Sequence, residues 1–137
     1  MVHKNMDLLQ TIADQLDTSV MNVLEFRHAS WWDNEVYDFM DKQGIVFCSV
    51  SASELPETIV RTSPAVYVRF HGKDGWYKHD YSNDQLAEWA DRINEQNAQK
   101  VLCYFNNDYN AYAPQNCLFL KKSLEPQATD SETPLLV

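Results

Sequence analysis

The chain has 137 residues, enough for one ordinary domain with a real core but short of the roughly 250 of a complete β/α barrel. Its 11 basic and 20 acidic side chains leave a formal charge of −9, which opposes broad electrostatic binding to nucleic acid or anionic lipid. No apolar run approaches the roughly 18 residues of a membrane span, and the N-terminus MVHKNMDLLQ lacks the basic-then-apolar order of a secretory signal.

Met6, Leu9, Ile12, Ala13 and Leu16 recur at helical spacing and predict an amphipathic helix over 6–16. Residues 20–26, VMNVLEF, read as a buried strand. Asp33 is placed to cap a helix whose inner face is Val36, Phe39 and Met40, with Gly44 as its left-handed terminator. Residues 45–50, IVFCSV, form a second strand, dense in apolar residues as parallel strands covered on both faces tend to be. Residues 52–63 contain Pro56 and read as a loop with at most a short helix.

A third strand follows at 65–70, AVYVRF, closed by His71 and Gly72. Ser82 and Gln85 have capping-box spacing, and the helix they open buries Leu86, Trp89, Ala90 and Ile93. Residues 101–105, VLCYF, make the fourth strand. A last helix starts near Pro114 and runs to Lys122. The domain is thus expected over 1–122, with 123–137 as a disordered tail. Cys48, Cys103 and Cys117 stand isolated in apolar runs and read as buried free thiols, which fits a reducing cytoplasm.

Strands alternating with helices predict an α/β fold with a parallel sheet and right-handed crossovers. The 3 glycines form no Gly-x-Gly-x-x-Gly turn or phosphate-binding loop, which argues against a dinucleotide or P-loop fold. Half of a TIM-like (β/α) barrel, with about four parallel strands, fits better. In such barrels functional groups sit at the C-terminal ends of the strands. Here those ends read Glu25-Phe26-Arg27-His28, Tyr67-Val68-Arg69-Phe70-His71 and Tyr104-Phe105-Asn106-Asn107-Asp108. Alternation along a strand puts Glu25 with Arg27, Tyr67 with Arg69 and His71, and Tyr104 with Asn106 and Asp108 on one face. Leu24, Phe26, Val66, Val68, Phe70 and Phe105 then face the outer helices.

Three motifs, Glu-x-Arg-His-x-Ser-Trp at 25–31, Tyr-Val-Arg-Phe-His-Gly at 67–72 and Tyr-Phe-Asn-Asn-Asp at 104–108, are followed by Ala111, Ala113 and Asn116. In that order and spacing the sequence resembles the domain-of-unknown-function family 72, the YecE-like proteins, over roughly residues 5–122. The resemblance implies a TIM-barrel-like fold and carries no reaction. Ala29 stands where members usually have proline. Placed on the family pattern, the chain would start in the helix before the fifth strand, so a site within it is expected to be incomplete.

Each candidate residue has two readings. Arg27 and Arg69 offer planar donor forks for a phosphate or carboxylate, or they form structural ion pairs, Arg27 with Glu25 for instance. His28 and His71 suit general acid–base catalysis, or are hydrogen-bonded structural histidines. Glu25, Ser30, Trp31, Tyr104, Asn106 and Asn107 complete the candidate ligand-binding set. Against this, the asparagines could terminate the strand through their own backbone, and Trp31 and Trp32 could pack the loop onto the rim. A metal site from His28, His71, Asp108 and Glu25 lacks ligand spacing and is repelled by the arginines, so neither metal nor cofactor is expected.

The resulting expectation is a cytoplasmic protein that binds an anionic small molecule, with hydrolytic or acid–base chemistry as the enzymatic form. The alternative is a non-catalytic truncated remnant or assembly module, whose partner is a second copy or a separate chain supplying the missing half-barrel. Nucleic acid is disfavoured by charge, and no membrane partner is expected.

Overall fold

A computed structural model describes residues 1–74 and 77–125. The elements are α1 (Met6–Ala13), β1 (Val23–Leu24), α2 (Asn34–Gln43), β2 (Val46–Ala52), β3 (Ala65–Gly72), α3 (Asn83–Asn94), β4 (Lys100–Phe105) and α4 (Tyr112–Leu124). Short 3-10 turns at Ala29–Trp31 and Tyr109–Ala111 follow β1 and β4. The four strands form one parallel sheet in the order β1-β2-β3-β4. The α/β expectation therefore holds.

Local chemistry accounts for most helix limits. The Asp33 side chain accepts from the Glu35 amide, and Gly44 ends α2 at φ 67, a left-handed conformation that costs a residue without Cβ nothing in sterics. Ser82 and Gln85 form the reciprocal capping box of α3, whose buried residues are Leu86, Trp89, Ala90 and Ile93. Between β2 and β3, Thr62 donates to the Ile45 carbonyl (2.7 Å) and accepts from the Phe47 amide (2.9 Å). That pair anchors a loop without helix, as the Pro56 region predicts.

Several of these expectations need correction. β1 pairs only over two residues, because beyond Leu24 the chain leaves the ladder. The last helix begins two residues before Pro114 and continues to Leu124, past the limit set at Lys122. Residues 126–137, most of the expected tail, lie outside the described residues. Cys48 is buried, but Cys103 is half-buried and Cys117 exposed, since β4 is an edge strand and α4 turns Cys117 outward.

Two apolar layers cover the outer face of the sheet. Val66, Val68 and Phe70 of β3 pack with Leu86, Trp89, Ala90 and Ile93 of α3 and Leu120 of α4. Phe47 of β2 packs with Phe26, Trp31, Val36, Met40 and Leu9. Cys48, Val50 and Ala52 of β2 face the opposite side, with Val23 and Tyr67. The strand alternation predicted for the outer set thus holds, and the polar residues are left on the inner face.

Candidate functional site

The inner face gathers its charges at the C-terminal ends of the strands. β2 contributes only Cys48, Val50 and Ala52 there, so the carboxylate that follows β1 reaches across it to β3. Glu25 Oε2 accepts from Arg69 Nη1 at 2.8 Å, and Glu25 Oε1 meets Arg27 Nη2 at 2.6 Å and His71 Nε2 at 3.0 Å. On the far side of Arg69, Asn106 Oδ1 accepts from Nε (3.2 Å) and from Nη2 (2.7 Å). Five of the predicted site residues therefore converge on one network.

Exposure is graded across it. The Glu25 side chain is 13% exposed and His71 0%, whereas Arg69 is 31% and Arg27 41% exposed. Burial pulls the Glu25 carboxyl upward, but the hydrogen bonds from His71 and Arg69, with the charges of His71 and Arg27, outweigh it and bring it down to about 2. Glu25 is ionised at any physiological pH. The same burial, with the Glu25 charge close by, pushes the Cys48 thiol far up and keeps it from acting as a nucleophile.

Arg69 is the residue most fully prepared for a ligand. A guanidinium has five N–H groups; three bonds, from Nε, Nη1 and Nη2, hold it to Glu25 and Asn106 among the described residues. One N–H on each terminal nitrogen remains, on a side chain that is fixed yet reaches solvent. Beside it on the same face, Tyr67 and Tyr104 stack with centroids 5.0 Å apart.

The other candidates lie elsewhere. His28 Nδ1 accepts from the Ser30 amide at 3.1 Å and lies 2.8 Å from Ser30 Oγ, and its ring lies 3.8 Å from that of His3. It caps the 3-10 turn after β1 and does not join the Glu25 network. Ser30 Oγ also accepts from the Lys4 amide, at 2.8 Å. Trp31 is buried, stacked on Phe26 at 4.3 Å, with Nε1 donating to the Val2 carbonyl. These three hold the N-terminal segment to the domain.

Asn107 is fully buried on the outer side, where Nδ2 donates to the His79 carbonyl (2.8 Å) and Asn116 Oδ1 (2.7 Å). Asn116 in turn donates to the Tyr81 carbonyl at 3.1 Å. The pair pins the β3–α3 loop to the end of β4 and to α4. Asp108 begins the turn at Tyr109–Ala111 without a side-chain capping bond. Among the described residues no group of three or more His, Cys, Asp or Glu could hold a metal ion.

Sequence reasoning did not single out Tyr81, Tyr77 or Glu57. The Tyr81 hydroxyl accepts from the Gly72 amide (2.9 Å) and donates to Ser51 Oγ (3.0 Å), bracing the end of β3 just beyond His71. The Tyr77 amide donates to the His71 carbonyl at 2.7 Å, and the Tyr77 ring sits edge-on to the imidazole. Glu57 accepts from Ser51 and Lys73, both at 2.9 Å. These residues lie in loops, where no periodicity announces a role. Tyr67 did carry a signal, its parity with Arg69.

The family model described as "Protein of unknown function DUF72" matches residues 2–135. Among solved structures, the chain is similar to a DUF72 family protein from Thermotoga maritima MSB8, with 28% identity and a TM-score of 0.80, over 92% of this chain and 54% of that one. It is also similar to a DUF72 family protein from Enterococcus faecalis V583 in two structures. One shows 22% identity and a TM-score of 0.80 over 100% and 58% of the two chains, the other 24% and 0.77 over 93% and 57%. The chain spans just over half the length of these relatives. Among curated proteins none matches it.

Proposed function

The chain belongs to the DUF72 family of proteins of unknown function, and from that premise we propose that it binds a phosphate- or carboxylate-bearing small molecule at the C-terminal ends of its parallel strands. The observation that carries this reading is Arg69, gripped by Glu25 and Asn106 with one N–H left on each terminal nitrogen. An arginine oriented in advance loses little freedom when a planar anion arrives, and its donors match a carboxylate or phosphate. Arg27 adds a second guanidinium beside Glu25, which concentrates positive charge at this end of the strands although the whole chain is acidic.

The same reading takes the four-stranded sheet as half of a β/α barrel, whose ligand sites lie at this end. His71 is buried beneath the surface of the site, so its part is to hold Glu25 in place. Both interpretations offered for the arginines then apply together: the structural ion pair is the device that aims the anion-binding fork.

Titration calorimetry with inorganic phosphate tests the assignment. The unmodified chain is expected to bind, and Arg69→Ala to weaken binding roughly tenfold or more, the scale of a lost charged hydrogen bond. Equal affinities, with both proteins folded by circular dichroism, would remove Arg69 from the site.

A separate observation favours a second reading, an assembly module. Among the described residues β4 pairs with β3 alone, and Val101, Cys103, Phe105, Cys117, Leu120 and Leu124 line a groove of about 410 Å³ between β4 and α4. An open edge beside an apolar groove is a template for a further strand and helix, supplied by a second copy or by a separate chain. Light scattering decides: a particle near 15.9 kDa at every concentration counts against self-assembly, and one of twice that mass supports it.

A further inference from the structure

The cationic cluster is bordered on the inner face by an aromatic surface. Tyr67 lies two residues before Arg69 on β3, and Tyr104 of β4 is the register partner of Arg69. The two rings stack at 5.0 Å with an interplanar angle of 21°, and 48% of Tyr104 is exposed. Neighbouring strands lie about 4.8 Å apart, so the Tyr104 ring and the Arg69 guanidinium rise side by side from this face.

We propose that this site takes a nucleoside monophosphate, its phosphate on Arg69 and its base against Tyr104. The inference rests on the anion-binding reading above and deepens it by naming the substrate class. Three observations favour it over other anions. A bare phosphate or a small carboxylate would leave the tyrosine pair without a role. A stacked pair of phenol rings presents a rigid π-surface at little entropic loss, suited to a flat heterocycle. And the charge of −9 opposes a polyanion but tolerates one phosphate at a local positive centre, which selects a mononucleotide over a nucleic acid strand.

The test compares inorganic phosphate, ribose 5-phosphate and adenosine 5′-monophosphate by calorimetry on the full chain. Base stacking is expected to make adenosine monophosphate bind roughly tenfold tighter than ribose 5-phosphate. Tyr104→Phe keeps that ratio. Tyr104→Leu, which retains an apolar side chain against Tyr67 but no π-surface, brings it near one. Equal binding of the two ligands by the unmodified chain, or a ratio that survives in Tyr104→Leu, overturns the proposal. If inorganic phosphate binds and only the base preference is missing, the anion site stands without the nucleoside. If none of the three binds, both readings fall.

Discussion

Glu25→Gln is expected to lower the unfolding free energy by about 3 kcal/mol at neutral pH, the lower end of what removing one partner of a buried ion pair costs. Arg69, Arg27 and His71 all point at this carboxylate, within 3.0 Å. Glutamine keeps an oxygen for Arg69 but turns an amide N–H toward the donors on the other side, and both guanidiniums lose the charge of Glu25. Because Arg27 and Arg69 reach solvent, water screens part of the loss.

The pH dependence has a definite sign. The Glu25 carboxyl is held at about 2 in the folded chain, below its ordinary value of 4.5. A depressed carboxyl stabilises the fold fully above its unfolded value, and this contribution disappears as pH falls from about 4.5 through about 2. Urea unfolding of both proteins across that window checks the claim. The gap between them should be widest near neutrality and close with acidification, as Glu25 itself takes up a proton. A gap independent of pH would mean that glutamine acts through packing and not through charge.

Asn107→Ala is expected to be nearly as damaging, at about 3 kcal/mol, or roughly 10 °C in melting temperature for a domain of this size. The Asn107 amide nitrogen serves the His79 carbonyl and Asn116 Oδ1 inside the protein, and alanine leaves both acceptors without that donor. Asn107→Asp should do no better, since it places a carboxylate against two oxygen acceptors. Thermal melts of the two variants decide between a latch and a surface ligand contact: a melting temperature within a degree or two of the unmodified chain would rule out the latch.

Much of the site was legible before the fold was known. Strong alternation in β3 and at the start of the β4 tip put Arg69, His71 and Asn106 on one side and Phe70 and Phe105 on the other. In the structure Phe70 and Phe105 stack at 4.4 Å in the core beneath α3. Asp33, Gly44, Ser82 and Gln85 announced their helix ends because capping depends on residues three or four apart. His28 was the misleading case. Its neighbours Glu25 and Arg27 turn inward, but the paired part of β1 ends at Leu24, and the following chain curls into a turn that the histidine caps. Alternation had no ladder left to enforce it.

The sequence by itself determined the α/β class, the helix caps, the outer core and the face on which Glu25, Arg69, His71 and Asn106 lie, since each follows from periodicity or short-range hydrogen bonding. Only the tertiary structure decided the partners. Glu25, just after β1, and Arg69 of β3 are 44 residues apart with β2 between them, so their contact depends on sheet order and register. Likewise Asn106 meets Arg69 while the adjacent Asn107 turns to His79 and Asn116, because the two side chains leave opposite faces of the chain into environments built by other elements. Local rules set which way a side chain points. What it meets there is settled by segments distant in the chain, whose packing no short-range pattern records.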